Sequence, residues 1–276
     1  MIAFPAVTSQ SIRFHYDLST LFYRLLWGRH IHHGLWQADE SPRVAQLQLT
    51  ETLAALAGVQ SGQTVLDVGC GMGGSAMHLA RRGCDVTGVT LSPVQRAWAA
   101  VESRLRGLGG RVTWVCADAE RLECPRESFD LLWSIECTEH LFDKPAFFRR
   151  AAHWLRPGGR MAICAWLAGE RTDPAAVRRV EEVCQGFLCP SLGTAADYCR
   201  WFEAAGLVVE QNRDWTAQVA RTWEICERRV RRFGLRHVAG LVDRDTRLFL
   251  ERFGTILEAY RDGSMQYGAL VARKVA

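Results

Sequence analysis

The segment V-L-D-V-G-C-G-M-G-G at residues 65–74 joins an apolar strand pattern to a helical one. The apolar run ends at Val68, a cluster of glycines follows, and the helical pattern begins just after Gly74. Glycine lets the backbone turn tightly and approach a ligand closely, and the amide groups and positive end of the helix then face that ligand. The segment therefore predicts a strand, a ligand-binding turn and a helix.

The same alternation of strands and helices continues downstream of this turn. Repeated strand–helix units form right-handed crossovers and a mostly parallel sheet, so an α/β, doubly wound fold is predicted. Two further strand patterns follow, with a mostly helical segment between them. The predicted strands are 64–68, 85–89, 112–116, 129–134, 160–166, 207–212 and 266–275, and the helices of the alternating part are 75–82, 94–105 and 144–154.

Helical patterns also precede the glycine turn. Apolar residues at helical spacing predict an amphipathic helix over 11–27, and Pro42 begins a second helix that Gly58 ends. The expected domains are a helical cap at residues 1–58, a core at residues 59–215 plus 263–276, and a helical lid at residues 216–262, inserted between the last two strands.

The composition is that of an ordinary globular protein, since 48% of the 276 residues are hydrophobic and 23% are charged. The longest nearly unbroken apolar run, residues 161–169, is far shorter than the ~20 residues that span a bilayer, so no stable membrane insertion is expected. The N-terminal residues carry neither the basic region of a secretory signal nor an Arg-rich transit pattern. A cytoplasmic protein is therefore expected.

Charge gives no sign of a nucleic-acid partner. The chain has 34 Lys and Arg against 30 Asp and Glu, a net charge of +4, which is no footprint of nucleic-acid binding. The run R-R-V-R-R at 228–232 is a basic cluster. Because Trp223, Cys226 and Phe233 fall at helical spacing, the arginines take the other face. A solvated helix face is favoured over a nucleic-acid or anionic-membrane patch.

Neither the cysteines nor the clustered histidines predict a metal site. The ten cysteines are scattered, form no CxxC and show no zinc-site spacing, so we expect them to be reduced and structural. Histidines as close in sequence as His30, His32 and His33 cannot all face one ion, and no carboxylate cluster accompanies them. A wall of the substrate entrance is the favoured role of this segment, with packed or solvated histidines as the alternative.

The charges around the glycine turn discriminate between two classes of cofactor. The turn also satisfies the dinucleotide pattern G-x-G-x-x-G, at Gly69, Gly71 and Gly74. Such a site needs an acidic residue at the end of the second strand, where this sequence has Thr90. Asp67 would repel a pyrophosphate but suits the cationic amino-acid part of S-adenosylmethionine, which carries no phosphate. S-adenosylmethionine is therefore the predicted cofactor, with a nicotinamide dinucleotide as the weaker alternative.

Nine segments in this order resemble the class I S-adenosylmethionine-dependent methyltransferases. Within that class, the sequence is most similar to the tocopherol O-methyltransferase-like group, which is related to cyclopropane-fatty-acid-synthase-like and phosphoethanolamine-type enzymes. The resemblance covers most of the chain and implies a seven-stranded sheet with an antiparallel final strand. The segments are 16–19, 27–28, 32–34, 65–74, 86–95, 133–136, 139–140, 155–159 and 194–198.

The resemblance also implies which residues hold the methionine part of the cofactor. Gly69, Gly71 and Gly73 would line it, and Asp67 would support that end of the pocket. Tyr16, on the N-terminal helix, would close over the cofactor.

The remaining cofactor residues implied by the resemblance follow the second and third strands. Thr90 and Gln95 would hold the ribose, as in relatives that use Thr-Leu-Ser in place of an acidic residue. Asp118, followed by Ala119, would accept a hydrogen bond from the amino group of adenine.

Candidate catalytic residues follow the fourth strand, at the sheet edge where α/β proteins bind ligands. Glu136 and His140 are four residues apart, so one helical turn places them on the same face. A phenol or ammonium acceptor must lose a proton, and a histidine suits that role; the alternative is that His140 packs or caps the next helix.

The residues expected to line the substrate pocket are His32, His33, Trp36 and Glu139.

The predicted function is methylation of a small molecule at oxygen, nitrogen or an electron-rich carbon. Segments rich in Trp, Phe and Leu favour an apolar or aromatic acceptor. A cyclopropane-forming or lipid alkene-modifying enzyme of the same fold is an alternative, but such relatives resemble a pattern with Ser-Cys where this chain has residues 32–34, and no cysteine precedes Cys70. A nicotinamide-binding protein is the third hypothesis.

Overall fold

The computed structural model of the protein describes residues 1–4, 7–26, 28, 30–232 and 244–275. A seven-stranded sheet forms its centre. The strands, numbered along the chain, are β1 (Thr64–Val68), β2 (Asp85–Thr90), β3 (Val112–Cys116), β4 (Phe129–Ile135), β5 (Leu155–Ala168), β6 (Leu207–Asp214) and β7 (Met265–Lys274).

The order of the strands across the sheet is β3-β2-β1-β4-β5-β7-β6. The pairs among β1 to β5 are parallel, whereas β7 runs antiparallel to both β5 and β6. The predicted doubly wound, mostly parallel sheet is therefore confirmed, as is its antiparallel final strand. The strand order reverses between β1 and β4, and the carboxyl edge at such a switch point is where α/β sheets bind ligands.

Helices cover both faces of the sheet, because successive residues of each central strand point to opposite sides. Val65 packs in one core with the helices Pro42–Leu56 and Gly74–Arg81 and with those between β6 and β7, and Leu66 packs in the other with the helices Lys144–Trp154 and Ala195–Ala204. The described helices are α1 (Ser9–Leu26), α2 (Pro42–Leu56), α3 (Gly74–Arg81), α4 (Pro93–Leu105), α5 (Lys144–Trp154), α6 (Pro174–Phe187), α7 (Ala195–Ala204), α8 (Thr216–Val219), α9 (Arg221–Arg232), α10 (Arg244–Glu251) and α11 (Phe253–Arg261).

Strand β5 begins earlier than the sequence predicts. Leu155 already pairs with Phe129, and Arg160 pairs with Leu131, so the segment between them bulges out of the ladder. Gly158, within this bulge, adopts a φ of 77°. The sequence Pro-Gly-Gly is typical of a turn, but here it forms a bulge within one continuous strand.

A short strand pair that the sequence does not predict ties down the N-terminal segment. Ile2–Ala3 pairs antiparallel with Ser191–Leu192, and the amide of Phe4 donates to the carbonyl of Pro190 at 2.7 Å. Two residues are too few to show a periodic pattern. The predicted opening helix is observed as α1, and Trp27, its expected last residue, lies outside the described residues.

Between β6 and β7 the described residues are mostly helical, as the sequence predicts. Helix α9 buries Trp223 and Cys226 and exposes Arg228, so the arginine run does lie on a solvated helix face. Phe233, expected on the buried face, lies outside the described residues. Within the part of the chain that is described, no helix combines the length and apolar character needed to cross a bilayer.

Candidate active site

Strand β1 ends in a turn that requires glycine. The amides of Gly69 and Cys70 both donate to the carbonyl of Val89, at 2.9 Å each, and hold the turn against β2. Gly69 adopts a φ of 76°, and a Cβ built there would lie 2.2 Å from Cβ of Cys137. Backbone conformation and space both exclude a side chain at this position.

The other two glycines of the predicted motif face different surroundings. Gly71 borders the cleft at the end of β1, where an added Cβ would meet only Ile31, at 3.9 Å. Gly73 is not among the residues that border the cleft, and an added Cβ there would fall 2.2 Å from the ring of Trp114. Gly73 makes room for Trp114 and caps α3, and its expected contact with the cofactor stays a prediction.

A cleft of about 1040 Å³ opens at the carboxyl edge of the sheet, beneath α1. Its walls come from the residues that follow β1, β2, β3 and β4, so one sheet edge brings together segments that are far apart in the chain. Eight of the nine residues expected to hold the cofactor border this cleft. They are Tyr16, Asp67, Gly69, Gly71, Thr90, Gln95, Asp118 and Ala119.

Asp67 places a buried carboxyl group at the floor of the cleft. Its side chain is 2% exposed, and its Oδ2 atom has no hydrogen-bond partner among the described residues. Burial raises the pKa of Asp67 to about 7, against the opposing effect of a hydrogen bond from the Ala76 amide. A cationic ligand group would satisfy this oxygen and favour its ionised form, so the cleft fits the amino group of S-adenosylmethionine.

Polar side chains after β2 form the next wall of the cleft. The hydroxyl of Thr90 donates to Oε1 of Gln95 at 2.8 Å. Ser92 caps α4 by accepting from the Gln95 amide at 3.1 Å, and its hydroxyl donates to Asp17 on α1 at 2.5 Å. The wall that borders the predicted ribose site therefore also fastens α1 to the rim of the cleft.

Asp118 and Ala119 lie in the loop that follows β3. The amide of Ala117 donates to the carbonyl of Thr90 at 3.0 Å and ties this loop to the end of β2. Oδ1 of Asp118 accepts from the amide of Glu120 at 2.9 Å. These bonds fix the carboxyl group of Asp118 in the wall of the cleft.

Tyr16 and His140 form a hydrogen-bonded pair across the cleft. The tyrosine oxygen lies 2.9 Å from Nε2 of His140, and Nδ1 of His140 lies 3.1 Å from the carbonyl oxygen of Leu188. A carbonyl oxygen only accepts, so Nδ1 carries the proton, and in the neutral ring Nε2 accepts from Tyr16. Burial lowers the pKa of His140 to about 4. His140 is therefore a neutral acceptor at physiological pH.

Glu136 is held by three donors. Its Oε1 accepts from the amide of His33 at 2.8 Å, from Nδ1 of His33 at 2.9 Å and from the hydroxyl of Tyr267 at 2.7 Å. Burial alone would raise the pKa of Glu136, but the charge and hydrogen bonds of His33 outweigh it and lower the pKa to about 2. Glu136 is therefore an ionised carboxylate that links the N-terminal segment to the end of the sheet.

A second cavity adjoins the cleft, and we call it the acceptor cavity. Tyr16, Glu136 and His140 border both spaces. The predicted pocket residues His32, His33 and Glu139 also border the acceptor cavity. The aromatic part of its wall consists of Trp166, Phe187, Trp223 and Phe249.

Glu139 is a buried acid in this wall, with 2% of the residue exposed. Its Oε1 accepts from the backbone amide of Trp166 at 2.5 Å. Burial raises the pKa of Glu139 to about 8, and the nearby charge of Glu136 acts in the same direction. The adjacent Lys144 is fully buried and donates to the carbonyl of Leu141 and the hydroxyl of Ser191, at 2.8 Å each.

The histidine segment separates the two spaces. His32 borders both, and its Nδ1 donates to the carbonyl of His33 at 2.7 Å. Burial lowers the pKa of His32, which keeps the ring neutral. Within the described part of the chain, no three His, Cys, Asp or Glu side chains are grouped so as to hold a metal ion.

Trp36 is the predicted pocket residue that the structure places elsewhere. The chain packs closely at Gly34, where an added Cβ would lie 2.5 Å from Cβ of Ala45, and the amide of Gly34 donates to the hydroxyl of Thr222 on α9 at 3.0 Å. There Nε1 of Trp36 donates to the hydroxyl of Thr222 at 3.0 Å, and the guanidinium of Arg221 lies over its ring at 4.9 Å. Trp36 borders neither the cleft nor the acceptor cavity.

Several residues around the site were not expected from the sequence. The carbonyl of Leu188 orients His140, Tyr267 donates to Glu136, and Phe249 closes the acceptor cavity. A backbone carbonyl and isolated aromatic residues form no motif. The one signal in the sequence was the aromatic content of the predicted lid.

Comparison with known proteins agrees with this geometry. Residues 66–163 match a family described as Methyltransferase domain. The matched stretch runs from β1 into β5 and so contains the glycine turn and the Glu136–His140 segment.

Two relatives illustrate the range of similar proteins. The 27-O-demethylrifamycin SV methyltransferase of Amycolatopsis mediterranei (strain S699) is 32% identical over 270 residues, covering 94% of this chain and 95% of that protein. A rice protein (Oryza sativa subsp. japonica) named "Probable tocopherol O-methyltransferase, chloroplastic" is 32% identical over 225 residues, or 75% of this chain. The match spans 62% of the length of the rice protein.

A solved structure extends the likeness to the whole fold. The [4+2]-cyclase SpnF aligns with a TM-score of 0.85 and 26% identity, and the alignment covers 99% of this chain and 98% of that one. The rifamycin relative shows that the similarity in sequence is also continuous over nearly the whole chain. This chain belongs to the class I S-adenosylmethionine-dependent methyltransferases, and S-adenosylmethionine is its cofactor.

Proposed function

We propose that this methyltransferase methylates a hydroxyl oxygen of a small, apolar or aromatic acceptor bound in the acceptor cavity. The observation that carries the proposal is the Tyr16–His140 pair, which borders both the cleft and the acceptor cavity. A hydroxyl group must lose its proton when its oxygen gains a methyl group. A proton-accepting pair at this junction therefore fits O-methylation.

The cleft residues are proposed to hold S-adenosylmethionine along its length. Asp67, with its unpartnered buried oxygen, would bind the cationic amino group. Thr90 and Gln95 would bind the ribose, and Asp118 would bind the adenine amino group beside Ala119. When bound, this cofactor supplies an electrophilic methyl group on a sulfonium sulfur.

The acceptor proton is proposed to leave along the Tyr16–His140 pair. The acceptor hydroxyl would donate to the Tyr16 oxygen, Tyr16 would pass its own proton to Nε2 of His140, and the acceptor oxygen would keep the electron pair with which it takes up the methyl group. The electron pair of the broken carbon–sulfur bond would stay on sulfur, so that the cofactor would leave as neutral S-adenosylhomocysteine. The Leu188 carbonyl, bound to Nδ1, stabilises the resulting imidazolium. A hydroxyl becomes strongly acidic as its oxygen is alkylated, so a base with a pKa of about 4 suffices.

Glu136 is proposed to position other groups instead of accepting a proton. Its Oε1 already accepts three hydrogen bonds, from His33 and Tyr267. It thereby holds the segment that separates the cleft from the acceptor cavity. Sequence reasoning placed Glu136 beside His140 as a catalytic residue, and the observed contacts favour this supporting role.

The lining of the acceptor cavity favours a neutral acceptor that carries a ring. Trp166, Phe187, Trp223 and Phe249 offer aromatic surfaces. No Lys or Arg is found among the described residues that line the cavity, and the ionised Glu136 would repel a phosphate or carboxylate group. Phenolic and hydroquinone-like molecules fit this combination.

Transfer from S-adenosylmethionine labelled with a trideuteriomethyl group tests the proposal. The purified protein is incubated with phenols, hydroquinones, indoles, amines and unsaturated lipids, and products are identified by mass spectrometry. The proposal expects a deuterated methoxy group on a hydroxylated ring, and loss of that product with His140→Ala. Methylation of carbon, or of a lipid double bond, would contradict O-methylation while leaving the enzyme class intact.

We propose the cytoplasm as the place of action. All ten cysteines have unpaired thiols, including the exposed Cys116, which suits a reducing compartment. Fractionation of cells that express the tagged chain tests this, and recovery with an organelle would contradict it.

A further inference from the structure

Two polar atoms of the acceptor cavity wall are buried without a hydrogen-bond partner among the described residues. They are Oε2 of Glu139 and Nε1 of Trp166. Both residues line the acceptor cavity, and they are 2% and 8% exposed. A buried polar atom left without a partner costs about 1–3 kcal/mol, so two such atoms in one cavity wall point to a ligand that satisfies them.

A hydrogen bond joins the backbone of Trp166 to the side chain of Glu139. The backbone amide of Trp166 donates to Oε1 of Glu139, which leaves Oε2 of the same carboxyl group for another partner. Trp166 itself is fixed by ring contacts with His33, Phe187 and Trp223. Glu139 and Trp166 are therefore fixed relative to one another in the wall of the cavity, and we call this pair of residues the Glu139–Trp166 corner.

We propose that Glu139 and Trp166 bind a second hydroxyl group of the acceptor, distinct from the group that is methylated. The inference rests on the proposed O-methylation and narrows its substrate class to neutral aromatic molecules with two hydroxyl groups, such as hydroquinones. The reacting hydroxyl lies at the Tyr16–His140 pair, and the second lies at the Glu139–Trp166 corner. An acceptor held at both points is oriented for in-line transfer.

A hydroxyl group satisfies this corner better than other polar groups. The indole N–H only donates, whereas Oε2 of Glu139 accepts when ionised and donates when protonated. A hydroxyl oxygen accepts from Trp166 and can either donate to or accept from Glu139. A ketone oxygen only accepts, so it satisfies Glu139 only while that carboxyl group is protonated, whereas a hydroxyl satisfies either state. A carboxylate would be repelled by the ionised Glu136.

Binding of two matched probes to the protein loaded with S-adenosylhomocysteine tests the proposal by calorimetry. Trimethylhydroquinone carries both hydroxyl groups, and 2,3,5-trimethylphenol lacks one of them. Wild-type protein is expected to bind the hydroquinone about tenfold more tightly than the phenol, and Trp166→Phe is expected to remove that preference. Glu139→Met should act in the same way, and Glu139→Gln should restore most of the preference because it keeps a polar group at the corner.

Trp133→Phe is the matched control, because Nε1 of Trp133 is also buried without a described partner but Trp133 does not line the cavity. It should keep the preference for the hydroquinone. Should Glu139→Met fail to fold, Trp166→Phe alone still decides. Three results would overturn the second anchoring point. The wild-type protein could bind the two probes with equal affinity, or it could bind neither. The third is that Trp166→Phe lowers the affinity for both probes equally. If the wild-type protein binds both probes with equal affinity and also methylates the phenol oxygen, this inference is overturned while O-methylation is supported.

Discussion

The hydroxyl oxygen of Tyr16 lies 2.9 Å from Nε2 of His140, although the two residues are 124 positions apart in the chain. The contact joins the first helix to the turn that follows β4, and it stands where the cleft meets the acceptor cavity. The same contact therefore holds α1 beside the cleft and forms the proton-accepting pair.

Stability should fall in acid because His140 is buried as a neutral ring. Its pKa is lowered from 6.5 to about 4, so between these values the unfolded chain binds more protons than the native protein. The free energy of unfolding therefore rises with pH in this window. As the pH falls from 6.5 to about 4, it decreases by about 1–3 kcal/mol. Urea unfolding at several pH values should show this slope, and His140→Gln should reduce it. An identical slope in the variant would contradict the assignment.

Glu136→Gln should destabilise the protein by about 1–3 kcal/mol. The substitution removes the charge that His33 and Tyr267 stabilise. Because the pKa of Glu136 is lowered from 4.5 to about 2, its contribution is present above pH 4.5 and is lost as pH falls towards 2. Thermal unfolding at neutral pH measures the effect. The exposed Glu203→Gln is the control, and equal unfolding temperatures of both variants would refute the role of Glu136.

Gly69→Ala should destabilise the protein more than Gly107→Ala. Both glycines have a positive φ, of 76° and 69°, so each substitution costs about 1 kcal/mol of backbone strain. Only at Gly69 would the new Cβ collide with a neighbour, Cys137, which adds about 1–3 kcal/mol. Denaturant unfolding of both variants separates strain from collision. Equal losses would mean that the turn relaxes freely.

Asp118→Ala should weaken binding of S-adenosylhomocysteine by about 1–3 kcal/mol, through a lost hydrogen bond to the adenine amino group. Asp85→Ala is the control, since Asp85 is exposed at the start of β2 and pairs with Arg111. Calorimetric titration gives both affinities. An unchanged affinity in Asp118→Ala would place the adenine elsewhere in the cleft.

Those parts of the site that depend on local sequence could be predicted. Distance from a strand end determines the position of the glycine turn, of Asp67 beside it and of Thr90 at the end of β2. Parallel strands then bring these carboxyl ends to one edge of the sheet. The cofactor followed from the charge of Asp67 and the lack of an acid at position 90. The family resemblance supplied Tyr16, which no spacing argument connects to the cleft.

Parts that depend on tertiary packing could not be predicted. Trp36 was expected in the pocket, but long-range hydrogen bonds from Gly34 and from the Trp36 indole to Thr222 hold it against α9 instead. Gly73 belongs to the motif, yet it serves the packing of Trp114. The ionised state of Glu136 arises from His33, which lies 103 residues earlier in the chain.

Methyl transfer by wild-type, Tyr16→Phe and His140→Ala proteins tests the proposed proton transfer to the Tyr16–His140 pair. The rate of transfer to trimethylhydroquinone is measured between pH 5 and 9 together with the affinity for S-adenosylhomocysteine. Wild-type turnover should not fall below pH 7 through protonation of His140, whose pKa is about 4, and both variants should lose about 100-fold in turnover with little change in cofactor affinity. Wild-type turnover in His140→Ala would contradict the account.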